Sequence, residues 1–188
     1  QLPTDESIIA WQNGNLPSMN THTWTSNNEF IYVMYSRTFY QMSLANEFLR
    51  QSTPEKLGTR TVDPAILSDM ASYRAEARFL RALSLYHAMD LFGRVPIVTE
   101  NDPVGFFYPE QKDKAEVFAF LVKELTEMDA DLKPSRANEY GRVDKVAARM
   151  LLAKLYLNAE VYIGQNKCAE AGTALADVLN SSYSIANI

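Results

Sequence analysis

The stretch AEARFLRALSLYHAMDLFGRVPIVTE, residues 75–100, decides the fold. From Asp69 to Phe92 the chain has no Gly or Pro and is dominated by strong helix formers, which predicts one long helix. Gly93 predicts where this helix ends, and Pro96 prevents its resumption. Apolar residues cover most of its circumference, so it must be covered from two sides, as a central helix in a helical stack is. Only a narrow edge is predicted to face solvent, formed by Arg74, Arg78 and Arg81.

Four more helices are predicted from apolar residues that recur every three or four positions. They run from Glu29 to Arg50, from Asp113 to Lys133, from Asp144 to Tyr162 and from Lys167 to Asn180. Asp113 and Glu116 have the spacing of a capping box, and Asp63 before Pro64 predicts a short helical approach to the central helix. Residues 1–28 are rich in Asn, Ser and Thr, which predicts an irregular segment with a helical turn near Ser7 to Trp11.

The fold class is therefore all-α, with long helices stacked in antiparallel pairs. One pair imitates a tetratricopeptide repeat, but its spacing is several residues too long, so the repeats are predicted to be degenerate. Its pattern residues are Leu152, Ala153, Tyr156, Ala171, Leu175 and Val178. We expect a single domain over residues 1–188, irregular over 1–28 and helical over 29–188.

Composition and motifs exclude several classes of function. The chain has 188 residues, 47% of them hydrophobic, and a net charge of -5, so it is long enough for a real core and has no basic face to bind nucleic acid. It contains no nucleophile elbow, phosphate-binding loop or dinucleotide fingerprint. The two histidines have no metal-ligand spacing, and His87 is expected in the interior. No enzyme, metal or cofactor is predicted.

Trp11 and Trp24 are the candidate ligand-binding residues. Each lies among amide and hydroxyl side chains rather than in an apolar period. A flat apolar ring beside hydrogen-bonding groups suits the C–H face and the hydroxyl groups of a sugar. The alternative is that both rings only cover the ends of helices.

The loop from Gly93 to Lys112 is long and contains three prolines, so it is not predicted to be helical. Phe106, Phe107 and Tyr108 lie within it. Two interpretations stay open for these aromatic residues. They pin the loop to the helices, or they form a contact surface for a ligand or a partner.

Glu76 and Arg149 are charged residues at positions of their helices that are otherwise apolar. A buried charge without a partner costs several kcal/mol, so each is expected to be paired. The sequence predicts that Glu76 and Arg149 pair with each other and fix the register of two helices. A catalytic role for Glu76 is disfavoured, because no second carboxylate, nucleophile or base is spaced to act with it.

The central stretch resembles the signature helix and exit loop of the SusD/RagB family of outer-membrane nutrient-binding lipoproteins. A second stretch, GRVDKVAARMLLAKLYLNAEVYIG at residues 141–164, is similar to a later helix of that family, in the right order. The segments TDESIIAWQNGN at 4–15 and ADVLNSSYSIANI at 176–188 are similar in style. The resemblance therefore covers most of the chain.

This resemblance implies a binding protein rather than an enzyme. A member of the family captures an oligosaccharide or another nutrient at the cell surface and passes it to a SusC-like TonB-dependent transporter. It would be held at the outer membrane by an N-terminal lipid anchor that this chain lacks. Members are much longer, so we expect a fragment that carries the helical repeats. The alternative is a tetratricopeptide-type scaffold that binds a protein or peptide and no carbohydrate.

Overall fold

A computed structural model describes residues 3–4, 6–11 and 14–184. Its helices are α1 (Leu16–Asn20), α2 (Glu29–Gln51), α3 (Pro54–Gly58), α4 (Pro64–Phe92), α5 (Lys114–Glu127), α6 (Lys145–Leu157), α7 (Ala159–Ile163) and α8 (Cys168–Leu179). A 3-10 turn at Met128–Ala130 follows α5, and two short strands, β1 (Val95–Pro96) and β2 (Gln111–Lys112), pair antiparallel. The all-α fold class with stacked helices is confirmed. Within the described residues, no helix is both long and apolar enough to span a membrane.

The chain divides into two compact units, Gln1–Tyr40 and Gln41–Ile188, with the boundary inside α2. The division into 1–28 and 29–188 within a single domain stays a prediction. The predicted helical turn near Ser7 to Trp11 is wrong, because the described residues there are not helical and α1 forms later instead. Pro17 suits the first turn of α1, where a missing N–H costs nothing.

In the first unit, Asn28 connects the irregular segment to α2. Its Oδ1 accepts hydrogen bonds from the backbone N–H of Phe30 at 3.0 Å and of Ile31 at 3.4 Å, which caps the helix. Its Nδ2 donates to the carbonyl of Asn15 at 3.0 Å and to Ser18 Oγ at 3.1 Å. The buried side-chain amide of Asn28 therefore makes four hydrogen bonds, and it stabilises both the start of α2 and the turn before α1.

Local sequence signals set the ends of the helices in the second unit. Asp63 caps α4 with its side chain, Pro64 occupies the first turn, and the helix runs unbroken from there, earlier than the predicted start. Asp113 and Glu116 form the predicted capping box of α5. The helix predicted to end at Tyr162 is interrupted at Asn158, whose Nδ2 donates to the carbonyl of Lys154 at 3.0 Å.

The core of the second unit lies between α4, α5 and the pair α6 and α8. Small residues on α4 alternate with large ones, which lets neighbouring helices approach closely. The buried residues of α4 include Ala75, Phe79, Ala82, Leu85, Ala88 and Met89. On α5 they include Val117, Leu121 and Leu125, and on α6 and α8 they include Ala148, Leu151, Leu155, Ala171 and Ala174.

Two expectations about α4 are wrong. His87, expected in the interior, is exposed. Arg81, predicted to face solvent, is only 3% exposed. The periodicity of α4 defines possible faces, but a helix apolar on most sides does not reveal which faces its neighbours cover.

The glycines of the last two helices give a matched stability test. Gly164 ends α7 with φ +67°, and its N–H donates to the carbonyl of Glu160 at 3.0 Å. Gly172 lies within α8, and an added Cβ would meet no atom within 4 Å apart from its chain neighbours and the backbone of its own helix. We expect Gly164→Ala to lower the free energy of unfolding by about 1 kcal/mol and Gly172→Ala to raise it by about 0.5–1 kcal/mol. Urea denaturation measures both, and two changes of the same sign would contradict this assignment.

Candidate functional site

The candidate site is the loop over residues 97–110, which the strands β1 and β2 close at its base. Gly93, with φ +80°, turns the chain out of α4, and its N–H donates to the carbonyl of Met89 at 3.0 Å. Val95 then pairs with Lys112, and Pro96 pairs with Gln111. Both ends of the loop are therefore fixed side by side at the end of the central helix.

Side chains of α2 hold the first half of this loop. Asn46 Nδ2 donates to the carbonyl of Val98 at 3.0 Å, and Arg50 Nε donates to the carbonyl of Glu100 at 3.1 Å. Arg50 Nη2 donates to the carbonyl of Asp102 at 3.4 Å. These bonds satisfy backbone carbonyls that no strand partner reaches, so residues 98–102 form a defined platform.

A buried ion network lies beneath the platform. Arg81 donates to Asn46 Oδ1 at 2.9 Å, to Glu124 Oε2 at 2.7 Å and to the carboxylate of Glu100. Arg78 adds bonds to Glu124 at 2.8 and 3.2 Å. The guanidinium of Arg81 thus joins α2, the loop and α5 to α4, and its planar fork suits several acceptors at once.

The network keeps both of its inner carboxylates ionised. Burial acts to raise the pKa of Glu124, but the hydrogen bonds from Arg78 and Arg81 outweigh burial and bring its pKa below the ordinary value of 4.5. Glu100 behaves in the same way: burial opposes ionisation, and the hydrogen bond from Arg81 lowers its pKa nonetheless. Both carboxylates therefore carry charge at neutral pH.

The second half of the loop carries an aromatic tip, defined by Phe106 and Tyr108. Phe106 is 88% exposed and Tyr108 is 87% exposed, and their rings meet edge to face with centroids 4.9 Å apart. Phe107 between them is half-buried. Of the two interpretations of these aromatic residues, pinning of the loop to the helices is wrong for Phe106 and Tyr108, because both rings face solvent. Hydrogen bonds from α2 hold the first half of the loop instead. Two rings exposed to water at the end of a fixed base form a small apolar surface.

The chain is similar to known proteins in sequence and in structure. No protein-family model matches it. The starch-binding protein SusD of Bacteroides thetaiotaomicron is 34% identical over 188 residues, which are 98% of this chain and 31% of SusD. The chain belongs to the SusD-like family. It spans about a third of the length of the curated relative that it matches.

Solved structures of the family share the fold of this SusD-like chain. A protein crystallised with a xylogluco-oligosaccharide has a TM-score of 0.77 at 22% identity, over 94% of this chain and 35% of its own. A SusD-like carbohydrate-binding protein of Bacteroides fragilis has a TM-score of 0.65 at 25% identity, over 84% of this chain and 28% of its own. The helical stack described above is thus the SusD-like arrangement.

The predicted ligand-binding tryptophans lie in the first unit of this SusD-like chain. Trp11 is 74% exposed, and Trp24 is 40% exposed. The ring of Trp24 meets His22 edge to face with centroids 5.6 Å apart, and His22 is held by a hydrogen bond of 2.7 Å to the carbonyl of Pro3. Both indoles are accessible to solvent.

The predicted pairing of Glu76 with Arg149 is wrong, although each charge has a partner. Glu76 accepts bonds from Arg142 at 2.8 and 3.1 Å and from Asn138 at 3.0 Å. Arg149 donates to Asp129 at 2.9 and 3.0 Å, and it also lies 3.2 Å from Asp177. Residues of the loop between α5 and α6 pair with Glu76. Helical periodicity predicts the faces of helices but not the position of a loop residue.

Sequence reasoning missed Arg81, Glu100 and Glu124 as site residues. A signal was present for two of them. Arg78 and Arg81 are spaced by three on α4, and Glu124 and Glu127 are spaced by three on α5, so a positive edge and a negative edge could face each other. Arg78 Nη2 does bond both acids, at 2.8 Å to Glu124 and 2.9 Å to Glu127. Glu100 lies in a loop, and no spacing pointed to it.

Within the described residues, no three His, Cys, Asp or Glu side chains cluster as metal ligands.

Glu124 gives a stability test of the network. Replacing it with Gln removes one of the two carboxylates that bind the buried Arg81, so we expect Glu124→Gln to lower the free energy of unfolding at pH 7 by about 1.5–3 kcal/mol. Because the folded-state pKa of Glu124 is depressed, its contribution is fully present above pH 4.5 and is lost as pH falls through the folded-state value. The difference in urea midpoint between wild type and Glu124→Gln should therefore narrow as the pH is lowered from 7 to 4.5 and then to 3.

The matched control is Glu170→Gln. Glu170 forms a 2.9 Å pair with Lys167 at the start of α8, and an ion pair screened by solvent contributes little to stability. A Glu124→Gln variant as stable as this control, or a gap that stays constant down to pH 3, would show that the network does not stabilise the core.

Proposed function

We propose that this SusD-like chain binds a glycan at the aromatic tip of the loop. One observation carries the proposal: Phe106 and Tyr108 are almost fully exposed, while the platform beneath them is fixed by Asn46, Arg50 and Arg81. Exposed aromatic rings cost free energy in water, and a rigid base lowers the entropy lost when a ligand covers them.

A glycan suits this surface better than a purely apolar ligand. Sugar rings present C–H faces to aromatic rings, and their hydroxyl groups need donors and acceptors nearby. The exposed amide of Asn101 and the half-buried carboxylate of Asp102 belong to the same loop. SusD is a starch-binding protein, and the matched Bacteroides fragilis protein is a carbohydrate-binding protein. Both support a carbohydrate ligand for this chain.

Trp11 and Trp24 form a second proposed contact for glycan, in the first unit. Their exposure supports it, together with the ordered hydroxyl and amide groups around them. Thr21 and Thr23 share a hydrogen bond of 2.8 Å next to Trp24, and Asn20 Nδ2 donates to the carbonyl of Ser7 at 3.2 Å. The segment therefore combines apolar faces with held polar groups, as a sugar subsite requires.

The biological role that we propose belongs to a longer SusD-like protein that contains this chain. That protein captures oligosaccharide at the outer surface of the outer membrane, held there by a lipid anchor, and passes it to a SusC-like TonB-dependent transporter without cleaving it. Membership of the family supports this role, and so does the presence of an exposed binding surface without a recognised catalytic motif.

The tip is tested by titrating the chain with soluble glycans, including starch-derived, laminarin-derived and xyloglucan-derived oligosaccharides, with calorimetry as the readout. We expect Phe106→Ala and Tyr108→Ala each to weaken binding about tenfold, because each removes one stacking face worth about 1.4 kcal/mol. Trp11→Ala and Trp24→Ala, measured alongside, report on the second contact.

The control for these variants is Tyr140→Ala, which removes an equally exposed ring from the loop between α5 and α6. Binding that is unchanged in Phe106→Ala and Tyr108→Ala but lost in a tryptophan variant would move the site to the first unit. If no glycan binds and a peptide library does, the scaffold interpretation replaces the proposed function.

The transporter partnership is tested in the bacterium that carries the gene. The tagged natural protein is extracted from outer membranes in mild detergent, and co-purifying proteins are identified by mass spectrometry. We expect a TonB-dependent transporter in near-equal amount, since a stable partner of a binding lipoprotein remains associated through a large interface. Recovery of the protein from the membrane without any such transporter contradicts the handover role.

A further inference from the structure

Polar contacts do not hold the aromatic tip directly. Between Pro103 and Pro109, no hydrogen bond or ion pair ties the loop to any described residue; the Phe106–Tyr108 ring contact is internal. Gly105 lies in this stretch with φ +103°, in a backbone region that residues with a side chain rarely adopt. The position of the tip therefore depends on the platform at residues 98–102 and on the strand pair at its base.

Glu100 is the last residue of the platform that both α2 and α4 hold. Its backbone carbonyl accepts a hydrogen bond from Arg50 Nε at 3.1 Å, and its carboxylate is bound by Arg81. The next fixed point is Asp102, whose Oδ2 accepts from the N–H of Thr99 at 2.7 Å and closes a tight turn. Because the platform is held at Glu100, the backbone enters the segment 103–109 from a fixed position and in a fixed orientation.

The Glu100 anchor is reached from solvent on one side. Glu100 and Glu124 both line a cavity of about 840 Å³, bounded by α3, the first half of α4 and the end of α5. The side chain of Glu100 is 22% exposed there, whereas Arg81 is 3% exposed. An uncharged side chain at position 100 can therefore be hydrated from the cavity, and the network keeps Glu124 as a counter-ion for Arg81.

We propose that Glu100 is a positioning residue, which acts through Arg81 to hold the aromatic tip in its binding orientation. It does not need to touch the ligand. The inference rests on the proposed function in one respect, namely that the tip binds glycan. Its structural part, that the charge of Glu100 orders residues 97–110, stands independently of any ligand.

The test compares the 188-residue chain with Glu100→Gln, Glu100→Asp and the control Glu170→Gln by hydrogen exchange and mass spectrometry. In Glu100→Gln, we expect the hydrogen-bonded amides of Thr99 and Asp102, in peptides covering 97–110, to exchange about tenfold faster, because a charge-assisted hydrogen bond is weakened. Peptides covering α6 and α8 should not change. Glu100→Asp keeps the charge with a shorter reach, so we expect it to recover at least part of the protection.

Glycan titrations on the same variants complete the test. We expect Glu100→Gln to weaken binding about three- to tenfold, less than complete removal of a tip ring, since the rings remain but are less well oriented. Phe106→Ala should weaken binding and leave exchange at 98–102 unchanged.

These readouts separate the two proposals. Unchanged exchange over 97–110 in Glu100→Gln, or an Asp variant no better than Gln, overturns the positioning role, whatever the tip variants do. Faster exchange in Glu100→Gln with normal glycan affinity in Phe106→Ala supports the ordering role and overturns binding at the tip.

Discussion

The structure depends on how the charge of Arg81 is accommodated. A guanidinium that is only 3% exposed loses nearly all of its contact with water, and such a loss costs several kcal/mol unless acceptors replace it. Asn46, Glu100 and Glu124 supply those acceptors from three different elements. Satisfying one side chain therefore requires α2, the loop and α5 to take fixed positions around α4. The Nε of Arg81 has no partner among the described residues, so the arrangement is not fully compensated.

This constraint divides the loop into two parts with different physical roles. Residues 98–102 are held by bonds that end on α2 and α4, and they behave as an extension of the core. Residues 103–109 have no such bonds, and they expose Phe106 and Tyr108 to water at a cost in hydration. A recognition surface needs both properties, because a ligand gains most from apolar area that is exposed in its absence and already ordered.

The sequence predicted what local chemistry controls. Helix positions followed from periodicity, and the ends at Asp63, Gly93 and Asp113 followed from capping, because these signals act within one turn of a helix. Contacts between distant elements were predicted less well. The need of Glu76 for a partner was evident, but Arg142 reaches it from a loop, and Arg81 was assigned to the wrong side of α4. Such errors arise because tertiary packing decides which face of a largely apolar helix is covered.

The way the loop is anchored leaves its tip free to vary in sequence. Asn46 and Arg50 bond the carbonyls of Val98, Glu100 and Asp102, and every residue type offers a carbonyl. The side chain of Glu100 is the one platform group that Arg81 requires. A fold shared with solved structures at about 22% identity must tolerate extensive change outside its core. A loop held through backbone groups and the carboxylates of Glu100 and Asp102 tolerates such change, since new tip residues alter the surface offered to a ligand without disturbing the buried charges below.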